Sequence, residues 1–78
     1  RMDRPPGATR ITIANDNVAG VLGHVLSALA DAKVNVLDMS NRSRDALAYN
    51  IIDVETAPDA GVIGAIGKVD GVIRVRVV

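Results

Sequence analysis

Apolar and polar residues alternate from Arg10 onward, with Ile11 and Ile13 on one side and Arg10, Thr12 and Ala14 on the other, as a half-buried strand requires. Asn15-Asp16-Asn17 breaks that alternation with residues suited to turns and helix caps. Val21, Leu22, Val25, Leu26 and Leu29 then recur at helical spacing, which predicts a helix from about Ala19 to Lys33. Val34 to Ser43 is rich in Val, Leu and Met but carries Asn35, Asp38, Ser40 and Asn41, so it predicts an edge strand with one face toward something polar. Arg44-Asp45-Ala46 predicts a hairpin turn into a third strand over Leu47 to Glu55. Pro58-Asp59 opens a second helix with Val62, Ile63, Ile66 and Val69 on its stripe and Asp59 supplying negative charge at its start. Gly61, Gly64 and Gly67 each cost that helix up to about 1 kcal/mol relative to alanine, so packing must hold it, and close approach of helix to sheet would explain them. Asp70-Gly71 turns the chain into a last strand over Val72 to Val78.

The resulting order, β-α-β-β-α-β, predicts an α+β, ferredoxin-like sandwich: a four-stranded antiparallel sheet in the order 4-1-3-2 with both helices on one face. Ile11, Ile13, Ile52, Val54, Ile73, Val75 and Val77 are expected to meet the helical stripes, leaving Thr12, Tyr49, Ile51, Arg74 and Arg76 on the other face. Apolar Tyr49 and Ile51 there suggest contact with another domain or subunit. Arg1 to Ala8 carries Pro5-Pro6-Gly7, where proline fixes φ and removes donors, so residues 1–9 read as an extended interdomain linker or added tail and residues 10–78 as the domain.

Composition narrows the function classes. Seventy-eight residues allow one domain with a thin core. Nine basic residues balance nine acidic ones, and neutrality argues against nonspecific binding to nucleic acid or an anionic membrane, both of which need an excess of Lys and Arg. Tyr49 is the sole aromatic, too little for a platform of stacked bases. Without cysteine there is no disulfide or thiolate chemistry, and one histidine cannot build a His-rich metal site. No run approaches the roughly 20 apolar residues of a membrane span and no signal-peptide layout opens the chain, so a soluble cytoplasmic domain is expected. A start at Arg1-Met2-Asp3 fits a piece of a longer protein.

Catalysis is hard to assemble from these residues. His24 has only Ser27 at helical spacing and no third group to orient the pair, so it reads as a solvent-facing or boundary histidine. Asp53 and Glu55 share a strand face and read as solvated carboxylates, lacking the further ligands or depth that a metal or a carboxylate pair needs. The glycines of Gly61 to Gly67 match neither the dinucleotide nor the phosphate-loop spacing. The informative place is the junction after the first strand. There Asn15 and Asn17 bring carboxamides beside the unpaired N–H groups that open helix one at Val18, Ala19 and Gly20. A helix start favours a carboxylate and amide oxygens accept from an ammonium, so a free α-amino acid suits both. Asn35, at the start of strand two, could add a third amide, although simple capping by Asn17 and turning by Asn15 account for the same residues.

The run Arg10 to Leu22, followed by Val34-Asn35-Val36, Ala48 to Glu55 and the ending Gly71 to Arg76, resembles an ACT domain, and most closely the C-terminal regulatory ACT domain of the D-3-phosphoglycerate dehydrogenases. The resemblance covers Arg10 to Val78. It implies a homodimer paired through helix one and strand two, with an effector amino acid, L-serine in the serine-inhibited enzymes, bound at that interface. It carries the effector contacts onto Asn15, Asn17 and Asn35, with Val18, Ala19 and Gly20 as the loop between. Asn15 stands where the family most often has histidine, and Ala19 where a proline is usual. The resemblance further implies that the fragment is not itself an enzyme: NAD and the hydride-transfer residues would belong to catalytic domains of the same chain, and the fragment holds no catalytic residue, cofactor or metal. A purely structural oligomerisation module is the competing expectation. A small βαββαβ enzyme of the acylphosphatase kind would need a basic residue in an anion-cradling loop, and Asn15 to Gly20 has none.

Overall fold

The alternation and helical stripes close over one apolar layer. The computed structural model describes residues 3–78, and the linker expected at Arg1 and Met2 lies outside the described residues. In chain order the elements are β1 (Thr9–Asp16), α1 (Val21–Asp31), β2 (Val36–Arg44), β3 (Leu47–Val54), α2 (Ala60–Gly67) and β4 (Val72–Val77). The strands form one antiparallel sheet in the order β2-β3-β1-β4, the expected arrangement read from its other edge. Extents of 33 × 28 × 17 Å fit one sheet with one layer of helices.

Both ends of β1 differ from the sequence expectation. Thr9 already pairs with Val54, and the segment before it turns, with the Ala8 N–H donating to the Pro5 carbonyl at 3.1 Å. At the other end the strand does not stop at Ala14. Asn15 and Asp16 continue it, opposite Ala48 and Leu47 of β3. Neighbours on both sides supply ladder partners, which outweighs the turn preference of isolated Asn and Asp.

Ile11 and Ile13 of β1, Val25 and Leu29 of α1, Ile52 and Val54 of β3 and Ile66 of α2 are fully buried together, with Val72 and Val75 packed against them. Ile73 and Val77 are not in this core: they are 58% and 50% exposed. The cause at Ile73 is a bulge. Ala14 pairs with Arg74 while Asn15 pairs with Val72, so Ile73 is the extra residue and Val72 takes the core position. Val77 lies opposite Ile11 at the end of an edge strand.

The helix ends are set by backbone conformation as much as by side chains. Gly20, with φ of 93°, opens α1 without any side-chain cap. At the other end Lys33 takes φ of 59°, and the Val34 N–H reaches back to the Leu29 carbonyl at 2.9 Å, a Schellman closure that stops the helix at Asp31. α2 is capped by Asp59, whose Oδ1 accepts from the Val62 N–H at 2.9 Å. Its glycines do not serve close packing as expected. Gly61, Gly64 and Gly67 are exposed, and a Cβ at Gly64 or Gly67 would meet nothing within 4 Å. Gly71 is doubly required: φ is 94° and a Cβ there would lie 2.7 Å from Cγ2 of Val21.

Two substitutions separate these roles. Gly71→Ala combines a left-handed backbone with a clash against α1 and should cost about 2 kcal/mol in urea unfolding. Gly64→Ala removes only helix-interior flexibility on an open face and should stabilise by about 0.5–1 kcal/mol in the same assay.

Candidate functional site

Because β1 keeps its alternation past Ala14, Asn15 faces the helix layer in line with Ile11 and Ile13 and is 3% exposed. A buried carboxamide must find partners. Asn50 of β3, 1% exposed, donates from Nδ2 to Asn15 Oδ1 at 2.7 Å, and Asn41 of β2 donates to Asn50 Oδ1 at 2.5 Å. Asn15 Nδ2 donates in turn to the Asp16 carbonyl at 2.9 Å. Three carboxamides thus form a chain across three strands. Among the described residues no buried side-chain nitrogen or oxygen lacks a partner. Asn15 is therefore not the free loop amide that the sequence suggested. Asn50 and Asn41 escaped sequence reasoning, although Asn50 shares the parity of Ile52 and Val54 and so had to face the core.

Asn17 lies beyond the strand and does not cap α1. Its main-chain N–H donates to the Ala46 carbonyl at 2.8 Å and its Nδ2 to the Asp45 carbonyl at 3.0 Å, clamping the loop to the β2–β3 turn. Val18, Ala19 and Gly20 are exposed and lead directly into α1. Val18 and Ala19 border a concavity of about 230 Å³ that also includes Asp16, Val21, His24 and Asp70. Helix-start N–H groups and two nearby carboxylates give this place donors for an anion and acceptors for an ammonium. The sequence missed Asp16 and Asp70. Asp70 is held beside Asp16 through its neighbour Gly71, whose carbonyl accepts from the Asp16 N–H at 2.7 Å.

Asn35 is not brought to this site within one chain. It is exposed, its carbonyl accepts from the Glu55 N–H at 2.9 Å, and it precedes Val36, which pairs with Val54. Asn15 pairs with Ala48 at the other end of β3, so the two asparagines are separated by roughly 20 Å along the strands at about 3.3 Å per residue. β2 is the most exposed strand and leaves one edge unpaired, with Leu37 and Met39 43% and 39% exposed beside it.

The remaining chemical candidates resolve simply. His24 is exposed. Asp53 and Glu55 are not a solvated pair: Glu55 is exposed beyond the end of β3, whereas Asp53 is fully buried beneath Arg10, its cross-strand partner. Arg10 Nε donates to Oδ1 at 2.8 Å and a terminal nitrogen donates to Oδ2 at 2.9 Å, the bidentate geometry that suits a guanidinium and a carboxylate. Those hydrogen bonds, opposed by desolvation, hold the Asp53 carboxyl below its ordinary value of 3.8 and raise Arg10. Among the described residues no three His, Cys, Asp or Glu side chains gather as a metal site. No described helix is long and apolar enough to cross a membrane.

Set beside known proteins, the chain matches no family model and no curated relative. Solved structures do match. The ACT domain of GTP pyrophosphokinase from Chlorobium tepidum aligns with a TM-score of 0.71 at 16% identity over 91% of this chain and 96% of that one. An ACT domain protein from Streptococcus pneumoniae aligns at 0.70 and 17% identity over 90% and 88%. An uncharacterized protein from Thermotoga maritima aligns at 0.69 and 21% identity over 91% and 92%. At such identities the likeness is one of fold, and the fold is that of ACT domains.

The buried pair sets an acid limit. A carboxyl depressed in the folded state contributes stability that is complete above the unfolded value of 3.8 and is lost as pH falls through the folded one. Asp53→Asn should lower stability at neutral pH and flatten the dependence of unfolding free energy on pH below about 4, measured by urea titration across that range.

Proposed function

We propose that this chain is a regulatory, amino-acid-binding and dimerising ACT module, with L-serine as the effector and a D-3-phosphoglycerate dehydrogenase as the parent enzyme. The observation that supports its binding and dimerising part is the placement of Asn17 and Asn35 at opposite ends of a sheet whose β2 edge is unpaired. L-serine and the dehydrogenase parent rest on the sequence resemblance. Two copies joined by antiparallel pairing of their β2 edges, centred near Ser40, would bring the partner's Asn35 opposite Asp45. The carbonyl of Asp45 is the group that Asn17 already holds. The effector pocket is then a composite: loop residues Asn17 to Gly20 and the α1 start from one protomer, Asn35 from the other. The same pairing satisfies the free ladder groups of β2 and covers Leu37 and Met39.

In this reading the α-carboxylate of the effector meets the N–H groups at the start of α1, while carboxamide oxygens and the Asp16 and Asp70 carboxylates accept from its ammonium. Asn15 supports the site from beneath, by fixing the end of β1. Regulation follows from linkage. A ligand that touches both protomers stabilises one arrangement of the pair, and catalytic domains attached to the module respond through a coupling of about 1–3 kcal/mol. The module itself is catalytically silent, with NAD and hydride transfer belonging to those catalytic domains. One observation favours a second reading, assembly without an effector: Asn15, one of the expected contacts, is committed to Asn50 and Asp16.

An amide-resolved NMR titration with L-serine, using glycine and L-valine as controls, tests the first reading at a concentration where sedimentation shows a dimer. Saturable shifts at residues 16–20 and 35, abolished by Asn17→Ala and Asn35→Ala, are expected. A dimer that gives no shifts with any of the three amino acids would transfer the assignment to the assembly reading.

A further inference from the structure

The helix-free face of the sheet carries a charge pattern that the effector reading leaves unused. Register places Arg42, Tyr49, Ala14 and Arg74 in one row across β2, β3, β1 and β4, and Ser40, Ile51, Thr12 and Arg76 in the next. At about 4.8 Å between strands each row spans roughly 14 Å. The first has guanidinium groups at both margins with Tyr49 and Ala14 between, and the second has Arg76 at its β4 margin alone. Tyr49 is 47% exposed and stands between two concavities. One, of about 370 Å³, is lined by Thr12, Ala14, Ile73, Arg74 and Arg76; the other, of about 460 Å³, by Arg42, Arg44 and Leu47.

The arginines are available to a ligand. The ion pair among the described residues is Arg10 with Asp53, one row further along, and no described carboxylate lies within ion-pair distance of Arg42, Arg44, Arg74 or Arg76. The other carboxylates of this face sit at its corners: Asp38 in the row of Asp53, and Asp16 in the row of Arg44 and Leu47. A second copy stacked face to face is disfavoured, since sheets pack about 10 Å apart and like guanidinium rows would oppose each other. A long polyanion is disfavoured too, because the chain as a whole is neutral and one aromatic ring can stack one base, not several. The chemistry that remains is a small anion with one flat group.

We propose that this face binds a small organic phosphate bearing a planar ring, in its simplest form a nucleoside monophosphate. The ring lies against Tyr49 over Ala14 and Thr12, and the phosphate is forked by Arg74 and Arg76, with Arg42 facing it from the far margin. The bulge at Ile73 shapes this site: the extra residue leaves Val72 in the core while Ile73 walls the concavity beside Arg74. The site is on the opposite side of the sheet from the helices, so it is independent of the effector reading.

Titration of the chain with AMP, adenosine and inorganic phosphate, followed by amide-resolved NMR, tests this. AMP should give saturable shifts at Thr12, Ala14, Tyr49, Arg74 and Arg76, leaving residues 16–20 unmoved. Arg74→Gln with Arg76→Gln should weaken AMP at least about tenfold, and Tyr49→Ala should weaken AMP while leaving the response to phosphate unchanged. All three side chains are exposed, so the fold survives these changes. Absence of saturable shifts on this face up to about 10 mM AMP, well above a millimolar dissociation constant, overturns the proposal. So does a response to inorganic phosphate equal to that for AMP, which would mark an adventitious ion only, or a single-stranded oligonucleotide binding tenfold tighter than AMP.

Discussion

β1 is the element whose positions are all committed at once. It is paired with β3 on one side and β4 on the other, and the helix layer lies over one of its faces. A residue there must suit two ladders and the correct side of the sheet, and a slip of one position would exchange Ile11 and Ile13 for Arg10 and Thr12 in the core. The rest of the molecule accommodates this strand. β3 supplies Ile52 and Val54 opposite, and α1 and α2 supply Val25, Leu29 and Ile66 above. The bulge in β4 lets the last strand change register where β1 gives way to its polar end.

Two polar arrangements mark the limits of the apolar layer, one on each face of the sheet. On the helix side, Asn15, Asn50 and Asn41 carry hydrogen bonds across three strands at the point where the core stops. On the other side, Asp53 is buried under the Arg10 fork. Both follow the same rule. A polar group removed from water costs far more unpaired than paired, so each is surrounded by complementary groups. These arrangements hold β1 in register with β3 at both of its ends, and so fix the loop from Asn17 to Gly20 relative to the β2–β3 turn.

A module built this way has unequal surfaces. The helix-covered side is closed by its own core. The β2 edge is open and half apolar, and the helix-free face is broad and lined with arginine. In the proposed β2-to-β2 pairing, residues that one chain holds at opposite ends of β2 would become neighbours only when a second copy is added, which would tie ligand recognition to assembly without any moving part inside the protomer. The arginine face lies outside that proposed pairing, on the side of the sheet away from the helices.

Element order, strand parity and the helical stripes were legible in the sequence, because side-chain period follows directly from backbone geometry: Ile11 and Ile13 alternate, and Val21, Val25 and Leu29 share a stripe, whatever surrounds them. The candidate loop after β1 was legible for the same local reason. Pairing decided the rest. Asn15 looked like a turn residue until β3 and β4 extended β1 through it, and Asp53 looked solvated until Arg10 was placed across from it. Ile73 fitted the alternation of β4 but lost its place to Val72 through a bulge that depends on β1. Asn35 could be read as a companion of Asn17 in sequence, yet strand direction put them at opposite ends of the sheet. Each of these outcomes rests on which residues meet across strands, a relation between distant positions that no local pattern encodes.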